Sequence, residues 1–127
     1  MTVLGFTSDH FWVRVSEDRA QIGLSDYGQG QAGEIIALEL SDVGERIEKG
    51  EPFGEMESVR TVQELIAPVS GTVIATNTEL EDSPYLANED PYQDGWLIEV
   101  ELANAEELDD LLGAAEYEEF VAREEGH

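Results

Sequence analysis

Phe53-Gly54-Glu55-Met56-Glu57-Ser58-Val59-Arg60-Thr61-Val62-Gln63-Glu64-Leu65-Ile66-Ala67-Pro68-Val69-Ser70-Gly71-Thr72-Val73 is the stretch on which the fold turns. From Phe53 to Val59 large and polar residues alternate, the period of a half-buried strand. Leu65-Ile66-Ala67-Pro68-Val69 and Thr72-Val73-Ile74-Ala75 are further strand-like runs on either side of Ser70-Gly71. Two such runs flanking a polar tip predict a hairpin whose chain then re-enters the body. Pro68 lacks an N–H for a sheet ladder, so it places its run at a sheet edge or a strand start.

Upstream, Phe11-Trp12-Val13-Arg14-Val15 and Ala20-Gln21-Ile22-Gly23-Leu24 flank the polar turn Ser16-Glu17-Asp18-Arg19 and predict a second hairpin. Ser25 is a capping residue for a helical turn over residues 25–31, weakened by Gly28 and Gly30. Glu34-Ile35-Ile36-Ala37-Leu38-Glu39-Leu40 reads as a buried strand, followed by turns at Asp42-Val43-Gly44 and Lys49-Gly50-Glu51-Pro52 around Arg46-Ile47-Glu48. Downstream, residues 95–102 form a strong strand pattern. The tail then changes period: Leu108, Leu111 and Leu112, then Tyr117, Phe120 and Val121, fall at helical spacing. Gly113 divides the tail into two helices or caps the first, and Glu106-Glu107 suits a helix N-terminus.

Residues 32–37 weakly repeat in residues 70–75, which points to two β units related by a pseudo-twofold. The expected fold is therefore mainly β. Two small antiparallel sheets pack as a flattened barrel-sandwich, with short helices and a C-terminal helical part at about residues 104–125. The expected core is Trp12, Val13, Ile22, Leu24, Ile35, Ala37, Ile66, Val73, Trp96, Ile98, Leu108, Leu111 and Phe120. All 127 residues are expected to form one domain.

Composition narrows function. The chain carries 30 Asp+Glu against 6 Lys+Arg, a net charge of −24, and 41 % apolar residues, enough for a core. Six cations cannot neutralise phosphates against thirty carboxylates, so nucleic acid is excluded as a partner, as is an anionic membrane. There is no cysteine, hence no thiolate or disulfide chemistry. The two imidazoles, His10 and His127, lie at opposite ends, and no D-x-D-x-D-G loop is present, so no metal site is expected. No apolar run reaches the ~18 residues of a membrane span, and the first ten residues lack a basic segment followed by an apolar one. A cytoplasmic location is expected. Gly28-Gln29-Gly30-Gln31-Ala32-Gly33 has G-x-G-x-x-G spacing without a surrounding βαβ unit, so it predicts no nucleotide site.

The order of motifs along the chain resembles the H protein of the glycine cleavage system, within the lipoyl- and biotinyl-domain group. Asp9-His10-Phe11-Trp12-Val13-Arg14 is similar to the family's His-Glu-Trp segment. Ile22-Gly23-Leu24-Ser25-Asp26-Tyr27 is similar to its Gly-Ile-Thr-Asp/Glu-Tyr/His stretch. Glu57-Ser58-Val59 and Ala67-Pro68-Val69-Ser70-Gly71 bracket the place of its modified hairpin, Asp90-Pro91-Tyr92-Gln93-Asp94-Gly95-Trp96-Leu97 matches its Pro-Tyr-x-x-Gly-Trp block, and residues 111–117 resemble its C-terminal helices.

The resemblance implies a carrier, not an enzyme. Its cofactor would be lipoyl in amide linkage to a lysine at the hairpin tip, and its cargo the aminomethyl group of glycine. Its partners would be glycine decarboxylase, aminomethyltransferase, dihydrolipoyl dehydrogenase and lipoate-handling enzymes. The sites carried over are Glu57, Ser58, Val59, the tip position 60 and Glu64, the last near the family's acidic residue beyond the tip.

The tip position holds Arg60. Amide formation needs a neutral amine; a guanidinium stays charged up to a pKa above ~12 and is a poor acyl acceptor. Arg60 is therefore expected to be unmodified and no cofactor is expected on this chain. It is either a surface cation on a loop or a retained anion-binding group. Lys49, the one lysine, is expected on a solvated turn outside the tip motif. Phe11, where the family has an acidic residue, and the segment Gly30-Gln31-Ala32-Gly33 are further departures.

Three functions follow as expectations: a lipoyl-free paralogue that binds or scaffolds; a working carrier whose lysine has been exchanged for arginine at this one position; or an acidic enzyme using Glu55 and Glu57, which share one strand face, as an acid–base pair rather than as solvated surface groups.

Overall fold

The computed structural model describes residues 2–125; His127 lies outside them. The chain runs β1 (Thr2–Phe6), β2 (Phe11–Ser16), β3 (Arg19–Leu24), α1 (Asp26–Ala32), β4 (Ile35–Leu40), β5 (Arg46–Ile47), β6 (Pro52–Ser58), β7 (Val62–Ile66), β8 (Gly71–Thr76), α2 (Glu79–Asp82), α3 (Leu86–Glu89), β9 (Ile98–Leu102), a 3₁₀ helix (Ala105–Asp110) and α4 (Ala114–Glu125). Every pairing is antiparallel. One sheet has six strands in the order β1-β2-β3-β9-β8-β5, the other three in the order β4-β6-β7. This is the mainly β, two-sheet architecture expected, with the sheets unequal in size. The two repeat segments fall into different sheets, on β4 and β8.

Alternation of apolar residues drives the packing. Phe11, Val13 and Val15 of β2 and Ala20, Ile22 and Leu24 of β3 bury one face of the large sheet, against Met56 and Leu65 of the small one. Fully burying side chains of this size contributes about 1.5–3 kcal/mol each. Trp12 points the other way, into a second cluster with Phe6 and Tyr117, against which Trp96, Leu112, Phe120 and Val121 pack. Gly23 sits beneath the indole: a Cβ there would lie 2.5 Å from two ring carbons of Trp12.

Six of the expected core positions depart from full burial. Ala37 is exposed because the ladder shifts between Ile35 and Ala37: Ile35 faces Ser58, Ala37 faces Glu57, and Ile36 is the extra residue of a bulge. The bulge reverses the parity of β4. Leu38 and Leu40, rather than Ala37, then lean on the core, and the strand read as buried is exposed or half-buried beyond Ile35. Ile66 is half-buried, while Leu65 is fully buried opposite Gly54. Trp96, Leu108, Leu111 and Phe120 are half-buried, covering the clusters from outside.

Other boundaries move for local reasons. Pro68 neither begins nor edges a strand; it lies buried in the link after β7. The last strand starts at Ile98, not Gly95. The segment after Asn104 is a 3₁₀ helix whose Asn104 side chain accepts from the Glu106 N–H at 3.0 Å. Gly113 caps the start of α4 rather than the end of its predecessor: its N–H donates to Glu116 Oε1 at 3.0 Å, the returning half of a capping box, and its carbonyl accepts from Tyr117 N. Strand β1 and the single-turn helices α2 and α3 carry too few periodic residues to be read from sequence.

The C-terminal part is tied down at three places. Phe6 and Leu112 exchange backbone hydrogen bonds at 2.8 Å in each direction. Glu107 accepts from Ser70 N at 2.7 Å and Ser70 Oγ at 2.9 Å. Lys49, expected on a solvated turn, forms an ion pair with Asp110.

Candidate functional site

The hairpin expected around position 60 forms as β6 and β7. Its tip is Val59, Arg60 and Thr61, built on Ser58, which is 6 % exposed. Ser58 N donates to Thr61 O at 2.8 Å. Ser58 Oγ accepts from the N–H groups of Arg60 and Thr61 at 3.3 Å each, holding the loop in a hydroxyl-capped turn. Val59 N donates to Glu34 O at 3.0 Å, tying the tip to the start of β4. A two-stranded base with a tight turn is a rigid platform for whatever the tip carries.

Arg60 is exposed, as expected, yet its side chain is held. Nη1 donates to the Gln31 carbonyl at 3.1 Å, at the C-terminal end of α1, where unpaired carbonyls favour a cation. Gly33 ends α1 with φ 82°, and a Cβ on it would lie 3.2 Å from Arg60 Nε. Asn88 braces this corner: its Oδ1 accepts from Ile35 N at 2.8 Å, and its Nδ2 donates to Gly33 O at 2.8 Å and Gln29 Oε1 at 2.9 Å.

Of the residues singled out from sequence, Glu57, Ser58, Val59 and Arg60 meet at the tip. Glu64 does not join them. It lies on β7 opposite Glu55, which in turn faces Glu39, so three carboxylates form a row across the small sheet. Glu55 and Glu57 share the solvent face, with fully buried Met56 between them. Gln31 and Gly33, noted in the sequence as part of the departing segment Gly30-Gln31-Ala32-Gly33, are brought to the tip by Arg60, whereas Glu34 and Asn88 were not singled out. A glycine ending a capped turn is a signal for Gly33; nothing in the chain marks Asn88, 55 residues beyond Gly33.

The other end of α1 carries a polar chain. Ser25 caps the helix, its Oγ accepting from Gly28 N at 3.0 Å. Ser25 Oγ and Tyr117 Oη are 2.6 Å apart, and Tyr117 Oη and His10 Nδ1 2.8 Å. His10 Nε2 faces Glu124 at 3.1 Å. Burial pushes the Tyr117 phenol up to about 12, against the opposing hydrogen bond from Ser25. Among the described residues no cluster of three or more His, Asp or Glu is arranged to hold a metal ion. No helix among them is long and apolar enough to cross a membrane.

Two facing antiparallel sheets with a strand–turn–strand projection define a barrel-sandwich domain of the lipoyl-carrier kind. The family profile described as Glycine cleavage H-protein matches residues 4–124. The glycine cleavage system H protein of Staphylococcus haemolyticus is 47 % identical over 118 residues, covering 93 % of this chain and 94 % of that protein. That of Halalkalibacterium halodurans is 45 % identical over 121 residues, covering 95 % and 94 %. The crystal structure of a glycine cleavage system H protein from Mycobacterium marinum superposes with a TM-score of 0.84 at 32 % identity, over 98 % of this chain and 97 % of that one. The chain belongs to the glycine cleavage H-protein family. It is thus a carrier-type protein, not a catalyst, which removes the reading of Glu55 and Glu57 as an acid–base pair.

Proposed function

We propose that this chain is a lipoyl-free member of its family, a docking module and not a loaded carrier. The observation that carries this reading is the residue at the tip. A guanidinium offers no amine that can be acylated, and that of Arg60 is engaged with Gln31. The residues present do not fit an amide-linked lipoyl group, so no transfer step is assigned to this chain. Its partners in this reading are glycine decarboxylase, aminomethyltransferase, dihydrolipoyl dehydrogenase or lipoate-handling enzymes, met in the cytoplasm. All 127 residues act as one unit, consistent with the bonds from Ser70 to Glu107 and from Phe6 to Leu112.

The test is the intact mass of the chain purified from its own cells, and again after co-expression with lipoate ligase. An unmodified mass in both supports the reading; a lipoyl adduct on the wild-type chain ends it.

The intact hairpin frame favours one alternative, a working carrier altered only at position 60. Arg60→Lys then acquires lipoyl and supports glycine decarboxylation with the partner enzymes. A lipoylated but inert Arg60→Lys protein rules that alternative out.

A further inference from the structure

The C-terminal part and the body it covers carry charge of the same sign. Residues 104–125 hold nine carboxylates and one cation, Arg123, while the preceding residues hold twenty-one carboxylates and five cations. A net −8 is thus laid against a net −16. Yet the segment buries little to hold itself down. The 3₁₀ helix buries no residue, and among the described residues of α4 only Tyr117 is buried. Tyr117 stacks on Phe6 with ring centroids 4.5 Å apart, in the cluster that contains Trp12. The main core lies elsewhere: its buried residues all fall between Phe11 and Val100. A segment with few buried apolar contacts is the part of a fold that opens first.

The polar ties of the segment are few and short. Glu107 accepts from Ser70 N and Oγ at 2.7 and 2.9 Å. Asp110 pairs with Lys49, the one lysine, at 2.5 Å, and Glu124 faces His10 Nε2 at 3.1 Å.

Repulsion and attraction therefore compete here, and their ranges decide between them. The repulsion is summed over many carboxylates spread across the molecule, whereas each attraction acts at contact. The screening length is about 30 Å at 0.01 M salt, about 10 Å at 0.1 M and about 3 Å at 1 M. Added salt removes the long-range repulsion first, while the contact pairs are screened last. The bonds from Ser70 to Glu107 join a carboxylate to neutral donors and depend on salt least.

We infer that residues 104–125 form a clasp that ionic strength closes. At low salt the 3₁₀ helix and α4 lift from the body while the two sheets stay folded, and the apolar cluster of Phe6 and Trp12 is uncovered. The device belongs to the C-terminal part and does not depend on what the hairpin tip carries.

The test is amide hydrogen exchange of the full chain at fixed pH, in about 0.01, 0.1 and 0.5 M KCl. Exchange over residues 105–125 is expected to be at least tenfold faster at the lowest salt than at the highest, while exchange in β2 and β3 changes no more than about twofold. Asp109→Asn/Glu118→Gln removes two exposed carboxylates that make no hydrogen bond or ion pair among the described residues. That variant closes the clasp at several-fold lower salt. Lys49→Gln removes the lysine tie and requires more salt. Exchange in the C-terminal part that is indifferent to salt, or that quickens in step with the sheets, overturns the inference, as does a salt midpoint that either variant leaves unmoved.

Discussion

Arg60 and Gln31 join the tip of the β6–β7 hairpin to the end of α1: Nη1 of the arginine donates to the carbonyl oxygen of the glutamine across 3.1 Å. The arginine head therefore rests on the body instead of swinging into solvent. Because the contact is exposed, its worth is that of a screened cation at a helix end, under about 1 kcal/mol. Arg60→Ala is expected to lower stability by no more than that, while amide exchange at Val59, Arg60 and Thr61 accelerates. Exchange at the tip that is identical in the two proteins would show that the contact orders nothing.

Gly33→Ala tests the same corner from the other side. At φ 82° and ψ −161°, a region essentially confined to glycine, an L side chain costs roughly 1–3 kcal/mol, and its Cβ meets Arg60 Nε at 3.2 Å. In urea titrations the single variant should lose about 1–3 kcal/mol. Combined with Arg60→Ala, the loss should fall short of the sum, because the side-chain clash vanishes and only the backbone term remains. Strict additivity would mean that the two residues do not press on each other.

Tyr117 makes a pH-dependent prediction. Its phenol ionises near 12 in the fold against 10.0 as its ordinary value. The unfolded chain releases this proton first as pH rises. Its contribution is therefore fully present below pH 10 and lost progressively between 10 and 12, on the order of 2 kcal/mol. Tyr117→Phe should flatten that alkaline decline. It should also cost about 1–3 kcal/mol at neutral pH by stripping His10 Nδ1 and Ser25 Oγ of a partner. An ultraviolet titration that places no tyrosine above 11 would contradict the assignment.

The row Glu39–Glu55–Glu64 predicts a gain from losing charge. Glu55 faces a glutamate on each side, so Glu55→Gln removes two cross-strand repulsions of a few tenths of a kcal/mol each. The urea midpoint should rise at low ionic strength, and the difference should shrink as salt screens the wild type. A midpoint that falls would show that the row is compensated by a cation.

Asn88→Ala removes three hydrogen bonds from one corner. Buried Ile35 loses the acceptor of its N–H, and Gly33 the donor to its carbonyl, so a loss of about 1–3 kcal/mol is expected. Asn88→Asp should rescue only part of it, since the Ile35 N–H regains an oxygen but Gly33 O and Gln29 Oε1 do not regain their donors.

Strand and turn chemistry was legible in the chain: the Phe11–Ser16 and Arg19–Leu24 hairpin, the Ser25 cap, the turn at Gly44 and the hairpin centred on Arg60 all follow from residues within a few places of one another. So was the chemical incapacity of residue 60, which depends on the identity of one side chain. Long-range pairing decided the rest. The bulge at Ile36 is invisible locally because it exists only as a mismatch between β4 and β6, and it alone sent Ala37 outward and Leu38 inward. The resting place of the Arg60 head was equally hidden, since Gln31 lies 29 residues away and only the folded sheets bring a helix end beneath the tip.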